Sequence, residues 1–118
     1  MDQAVREFLV SVINSRVKLD LVLHFHRNRY TLDYAGGVAQ KVGRREEEVR
    51  RALEELVEAG VVVRHTSKLH SDRPPIYAYT RDPRTQALVA RLAEYCSSEG
   101  GRREVETIID NAGGEERK

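Results

Sequence analysis

Apolar residues recur along this chain in short stripes of two different periods, and the changes of period predict its elements. Val5, Phe8, Leu9, Val12 and Ile13 fall on one face of a first helix. From Ser15 to Asn28 two patterns overlap. Val17, Leu19, Leu21, Leu23 and Phe25 alternate as in a strand, while Val17, Leu21, Val22 and Phe25 form a helical stripe. Three of the alternating residues are leucines, which favour helices, and Ser15 is a candidate N-cap, so a helix is expected here. The polar run HRNR fits its exit.

Ala35, Val38, Ala39 and Val42 then repeat at i, i+3, i+4 and i+7, with Thr31 as a candidate cap. Gly43 permits the positive φ of a sharp helix end. A longer stripe follows in Val49, Ala52, Leu53, Leu56 and Val57, and Gly60 stops it. VVVRHT and PPIYAYT are rich in β-branched and aromatic residues and flank the loop SKLHSDRP, predicting a hairpin. Tyr30 and Thr31 are candidates for a short third strand. Gly36-Gly37 interrupts the preceding helix at about 0.5–1 kcal/mol per glycine relative to alanine, which either close packing against the next helix or simple tolerance would explain. Asp82-Pro83 marks another helix start, with a stripe of Leu88, Leu92, Tyr95 and Cys96. SSEGG reads as a flexible break, and Val105, Ile108, Ile109 and Ala112 as a last helix before the polar tail GGEERK.

Helix, tight turn, helix, strand, basic loop, strand is the order of a winged helix-turn-helix. EVRRALEELVEAGVV followed by a basic loop and IYAYT resembles the recognition helix and wing of bacterial and archaeal winged-helix transcriptional regulators, with the MarR- and ArsR-type families nearest in layout. The resemblance covers roughly Arg16 to Tyr95 and is tightest from Val49 to Val63. It implies a mainly α fold with a small β-wing. The expected organisation is an N-terminal flanking helix (1–14), a winged helix-turn-helix core (15–80), C-terminal helices (81–112) and a disordered tail (113–118). Regulators of these families dimerise through such flanking helices, and a short terminal helix with a Val-Ile-Ile stripe must bury that face somewhere. A homodimer is therefore expected.

At 118 residues, with 33% charged and 40% hydrophobic residues, the chain suits one helix-rich domain with a modest core. No apolar run approaches the ~18–20 residues of a membrane span, and MDQAVREF is not a secretory signal. The single cysteine, Cys96, fits a reducing cytoplasm. Net charge is only +1, yet the distribution is uneven: residues 27–81 hold 11 basic and 8 acidic side chains, residues 82–118 hold 6 and 8. The asymmetry points weakly toward a phosphate-bearing partner.

In a helix-turn-helix the start of the second helix enters the major groove. The resemblance places Arg44, Arg45, Glu47, Glu48 and Arg51 there, on a recognition helix of about residues 45–59. Arginine can grip phosphate or read guanine, and a glutamate can accept from a cytosine amino group. Arg64, Lys68, His70 and Arg73 belong to the wing, about residues 64–75, and Lys41 adjoins the turn. Wing cations over phosphates add affinity rather than sequence information. The partner implied is double-stranded DNA, read by a transcriptional regulator whose effector, if any, the chain does not reveal.

A competing reading stands beside this one. Glu46, Glu47 and Glu48 complement the helix dipole, and Glu46–Arg50 and Glu47–Arg51 are i, i+4 pairs, so the helix's charges serve its own stability. The module would then dock a protein instead of DNA. Metal sensing is disfavoured, because His24 and His26 point about 200° apart on a helix and Cys96 lacks a ligating neighbour. No phosphate loop, HExxH or nucleophile elbow is present, so neither an enzyme nor a cofactor is expected.

Overall fold

The computed structural model describes residues 1–70 and 72–116, with side chains as far as residue 112. Helix α1 (Gln3–Phe8) continues as a π-helical turn (Leu9–Ile13) into α2 (Arg16–Arg27). A short strand β1 (Leu32–Tyr34) leads directly into α3 (Ala35–Val42), then α4 (Glu46–Glu58). The hairpin β2 (Val62–His65) and β3 (Ile76–Tyr79) is followed by α5 (Pro83–Tyr95) and α6 (Glu99–Glu116). The result is mainly helical with one antiparallel sheet of order β1-β3-β2. Register pairs Leu32 with Ala78 and Val63 with Ala78 on one side of the sheet, and Asp33 with Tyr77 and Arg64 with Tyr77 on the other.

Helix α2 resolves the double pattern in favour of a helix. Leu19, Leu21, Val22, Leu23 and Phe25 are all buried, as is Lys18, which explains why neither period alone accounted for the apolar positions. The helix touches α3, α4, α5, α6 and β3, so apolar residues are needed nearly all round. Ser15 caps it, its Oγ accepting from the Lys18 amide at 3.2 Å. Lys18 is tolerated inside because its Nζ donates to Asn14 Oδ1 at 3.1 Å and to Glu55 at 3.2 Å. Asn14 closes the π turn at φ +33, its amide donating to the Leu9 carbonyl.

The remaining stripes meet on α2. Val38 and Ala39 from α3, Val49, Leu53 and Leu56 from α4, and Val89 and Leu92 from α5 are buried together. Gly43 (φ +71) and Gly60 (φ +81) close α3 and α4 in the left-handed conformation. Asp82 caps α5 through the Thr85 amide, with Pro83 in the first turn. In α6 the stripe is already covered: Val105 and Ile109 are buried against the rest of the chain, Ile108 only partly. This stripe therefore finds its partner without a second copy.

Two local expectations shift. The third strand lies at Leu32–Tyr34, two residues beyond Tyr30 and Thr31, so Tyr34 rather than Thr31 precedes α3, with no side-chain cap. The pattern misled because Leu32 and Tyr34 face solvent. Gly100 and Gly101, read as a break, lie in the first turn of α6. Helix α6 runs to Glu116, and residues 117–118 of the expected tail lie outside the described residues.

Gly36 and Gly37 have different reasons. A Cβ on Gly36 would approach only the end of the exposed Glu46 side chain, at 2.8 Å. One on Gly37 would sit 2.1 Å from Asp33 Oδ1, where that carboxylate accepts from the Tyr34 amide and pairs with Lys41 at 2.8 Å. Gly36→Ala should therefore stabilise the fold by about 0.5–1 kcal/mol through helix propensity. Gly37→Ala should destabilise it by displacing Asp33. Urea unfolding of both variants checks this, and equal shifts of the same sign would refute the distinction.

Candidate nucleic-acid interface

Helix α4 starts from a polar turn and carries its charge unevenly. Between Glu46 and Glu58 six glutamates face two arginines, a net −4. Val49, Ala52, Leu53 and Leu56 turn inward, leaving Glu47, Arg50, Arg51, Glu55 and Glu58 exposed. Three glutamates in the first turn suit the helix dipole, and Arg50 pairs with Glu46 as the i, i+4 spacing requires. The companion Glu47–Arg51 pair is not formed, so Arg51 has no ion-pair partner among the described residues.

Arg44 is drawn inward instead. Its Nε donates to Asp20 at 2.9 Å and its Nη1 to Glu48 at 2.8 Å. Asp20 also accepts from Arg102 of α6 at 2.9 Å, and Arg102 pairs with Glu106 at 3.2 Å. Burial works against the charge on Arg44 and Arg102, but the hydrogen bonds to Asp20 and to each one's glutamate outweigh it and push both guanidinium pKa values up. One aspartate thus ties the start of α4 and the C-terminal helix to α2. Arg44 and Glu48, both expected at the groove, are thus paired within the protein. Arg45, 86% exposed and 3.8 Å from Glu48, remains turned to solvent.

A hollow of about 650 Å3 between the start of α2 and α4 brings Arg45, Glu47, Glu48 and Arg51 together, beside Val17 and Glu55. Lys41 lies apart, held by Asp33. Arg64 is likewise held: it pairs with Glu54 of α4, which also accepts from the Tyr77 hydroxyl. Burial and the Glu54 hydrogen bond push the Tyr77 phenol up to about 12. The hairpin loop differs. Lys68, His70 and Arg73 are all exposed and have no ion-pair partner among the described residues. The loop is braced by its backbone, the Arg73 amide donating to the His70 carbonyl and the His70 amide to Ser67 Oγ. Leu69 at its tip is 91% exposed.

The residues that organise these cations were not among those expected from sequence: Asp20, Glu54, Tyr77 and Arg102. Asp20 carried a signal, as an acid in the middle of the helix that buries the most apolar residues. The others did not, since the contacts that tie them to distant elements span 10 to 82 residues. Burial pushes the Cys96 thiol up and the His24 and His26 imidazoles down, favouring the neutral form of each. Among the described residues no group of three metal-ligating side chains converges, and no helix is long and apolar enough to cross a membrane.

No family model matches the chain, nor does any curated protein. Among solved structures it is similar to a protein of Methanosarcina mazei Go1 described as a possible transcriptional regulator. The superposition covers 88% of this chain and 86% of that one, with a TM-score of 0.59 and 12% identity. At that identity the likeness is one of fold.

Two outcomes follow from the ion pairs. Asp20→Asn should cost about 1 kcal/mol, a value discounted for partial exposure, and the loss should shrink in molar salt. An unchanged urea midpoint would remove Asp20 from its organising role. The raised Tyr77 pKa stabilises the fold below the unfolded value near 10, and this contribution is lost as pH rises toward 12. Unfolding at pH 9 and pH 11.5 should show a smaller alkaline drop in Tyr77→Phe than in the parent; identical drops would contradict the shift.

Proposed function

We propose that this chain is a cytoplasmic winged helix-turn-helix regulator of transcription that binds double-stranded DNA, with the hairpin loop as its wing. The observation that carries the reading is the loop itself: Lys68, His70 and Arg73 stand exposed with no carboxylate partner among the described residues, while most other cations near α4 have one. The fold shared with a protein described as a possible transcriptional regulator supports a regulatory role. In this reading α3 and α4 form the helix-turn-helix. Arg45 and Arg51 reach the major groove, Lys41 meets the backbone at its edge, and Arg44, Glu48 and Arg64 hold the geometry. The wing supplies most of the affinity through phosphate contacts. Two copies on a pseudo-palindromic site would complete the assembly.

The net −4 of α4 favours a second reading, in which the same module docks a basic protein surface and leaves DNA alone. Salt separates the two. Fluorescence anisotropy against a random duplex pool should give saturable binding that weakens steeply with salt. Lys68→Ala with Arg73→Ala should lower affinity for all sequences and reduce the log–log salt slope by about 2, since each phosphate contact contributes about 0.9. Arg51→Ala should instead alter sequence preference. No duplex binding even at low salt would leave the protein-docking reading in place. Light scattering of the same samples tests the dimer, which a monomeric mass on and off DNA would refute.

A further inference from the structure

At the foot of the sheet, where β1 begins and β3 runs toward α5, lies a hollow of about 360 Å3. Arg29, Leu32, Ala78, Tyr79, Arg81 and Gln86 contribute to its lining, and no aspartate or glutamate does. Neither Arg29 nor Arg81 has an ion-pair or hydrogen-bond partner among the described residues. The acid nearest in sequence, Asp82, is turned to its own helix, accepting from the Thr85 amide at 3.2 Å and the Thr85 hydroxyl at 2.7 Å. Gln86 is fixed by donating to the Thr80 carbonyl at 2.8 Å. Two arginines from separate segments thus line one cavity that has no aspartate or glutamate in its walls.

Tyr79, which contributes to the lining while its ring packs on Phe25 in the core, brings a second observation. Tyr79 is 3% exposed, and its hydroxyl is buried without a hydrogen-bond partner among the described residues. A buried hydroxyl left unpaired costs roughly 1–3 kcal/mol, so such groups usually mark a position that takes a partner. Arg29 is the charge that bears on this phenol, which burial otherwise pushes up. The other wall is apolar: Leu32 and Ala78 are register partners on the outward side of the sheet, and Leu32 is 64% exposed.

We propose that this hollow binds a small organic phosphate, gripped by Arg29 and Arg81, with its apolar body against Leu32 and Ala78. Charge selects phosphate over carboxylate. A phosphate monoester carries about −1.5 to −2 at neutral pH and matches two guanidinium groups, whereas a carboxylate would leave one unmatched. The volume is at the small end of ligand sites, near the lower bound of about 300 Å3. The site does not rest on DNA binding by the chain. A DNA backbone phosphate offers the same chemistry, so the test must separate the two sources.

The test is a titration of the isotopically labelled full chain, followed by amide NMR at constant ionic strength. The probes are phenyl phosphate, its singly charged isostere phenyl sulfate, and a short duplex DNA. Phenyl phosphate should give saturable shifts at Thr31, Leu32, Ala78 and Arg81 and bind several-fold tighter than phenyl sulfate. Arg29→Gln with Arg81→Gln, both at exposed positions, should weaken phenyl phosphate by about tenfold or more with the rest of the spectrum unchanged. Shifts that do not saturate, equal affinity for sulfate, or undiminished binding by the double variant would overturn the proposal. So would shifts at these amides produced by the duplex and not by phenyl phosphate, which would assign the arginines to a DNA backbone.

Discussion

Helix α2 has to be apolar almost all round because every other layer rests on it. Leu19, Leu21, Val22, Leu23 and Phe25 are buried, and α3, α4, α5, α6 and β3 all pack against this one element. Its charged residues Asp20 and Lys18 are satisfied from outside the helix, whereas the buried His24 Nε2 and His26 Nδ1 have no hydrogen-bond partner among the described residues. Asp20 is met by Arg44 and Arg102, and Lys18 by Asn14 and Glu55. The central helix therefore orients its neighbours twice, through hydrophobic packing without direction and through a few charged hydrogen bonds that have it. Those bonds hold the turn that leads into α4, because Arg44 lies next to its N-cap, Arg45.

This arrangement divides the cations into two populations. Arg16, Arg44, Arg50, Arg64 and Arg102 spend their charge on carboxylates of the same chain. Lys68, Arg73, Arg29 and Arg81, around the sheet, have no ion-pair partner among the described residues, and neither does Arg51 on α4. A near-neutral total thus conceals an acidic helix and a basic sheet periphery. Partner choice follows from the second population, since only unmatched charge is available to another molecule.

Periodicity made most of the helical fold legible, because single-sided stripes such as Val49, Ala52, Leu53 and Leu56 map directly onto buried faces. It was ambiguous for α2, where burial on several sides erases the stripe, and it displaced β1, whose Leu32 and Tyr34 are exposed. The candidate interface was legible in residue type but not in availability. Arg44 and Arg73 look alike in a sequence. Only the fold brings Asp20, 24 residues distant, to the one and leaves the other without a partner among the described residues. Local spacing recovered Glu46–Arg50 but could not foresee Glu54 accepting from both Arg64 and Tyr77.

The central position of β3 has a consequence for how this protein can vary. Tyr77 and Tyr79 both face the core from β3, and each residue of that strand is paired on one or both sides. A one-residue slip would turn both tyrosines to solvent and exchange them for Ile76 and Ala78, so the pairing register is anchored by two large side chains. The loop that joins β2 to β3 bears no such constraint, and each doubling of its length would cost only about 0.6 kcal/mol in closure entropy. Insertions, deletions and charge changes between residues 66 and 75 can therefore accumulate without disturbing the base that carries them. Reach and charge of the hairpin are the quantities most open to drift between relatives, while its anchoring strand is the least.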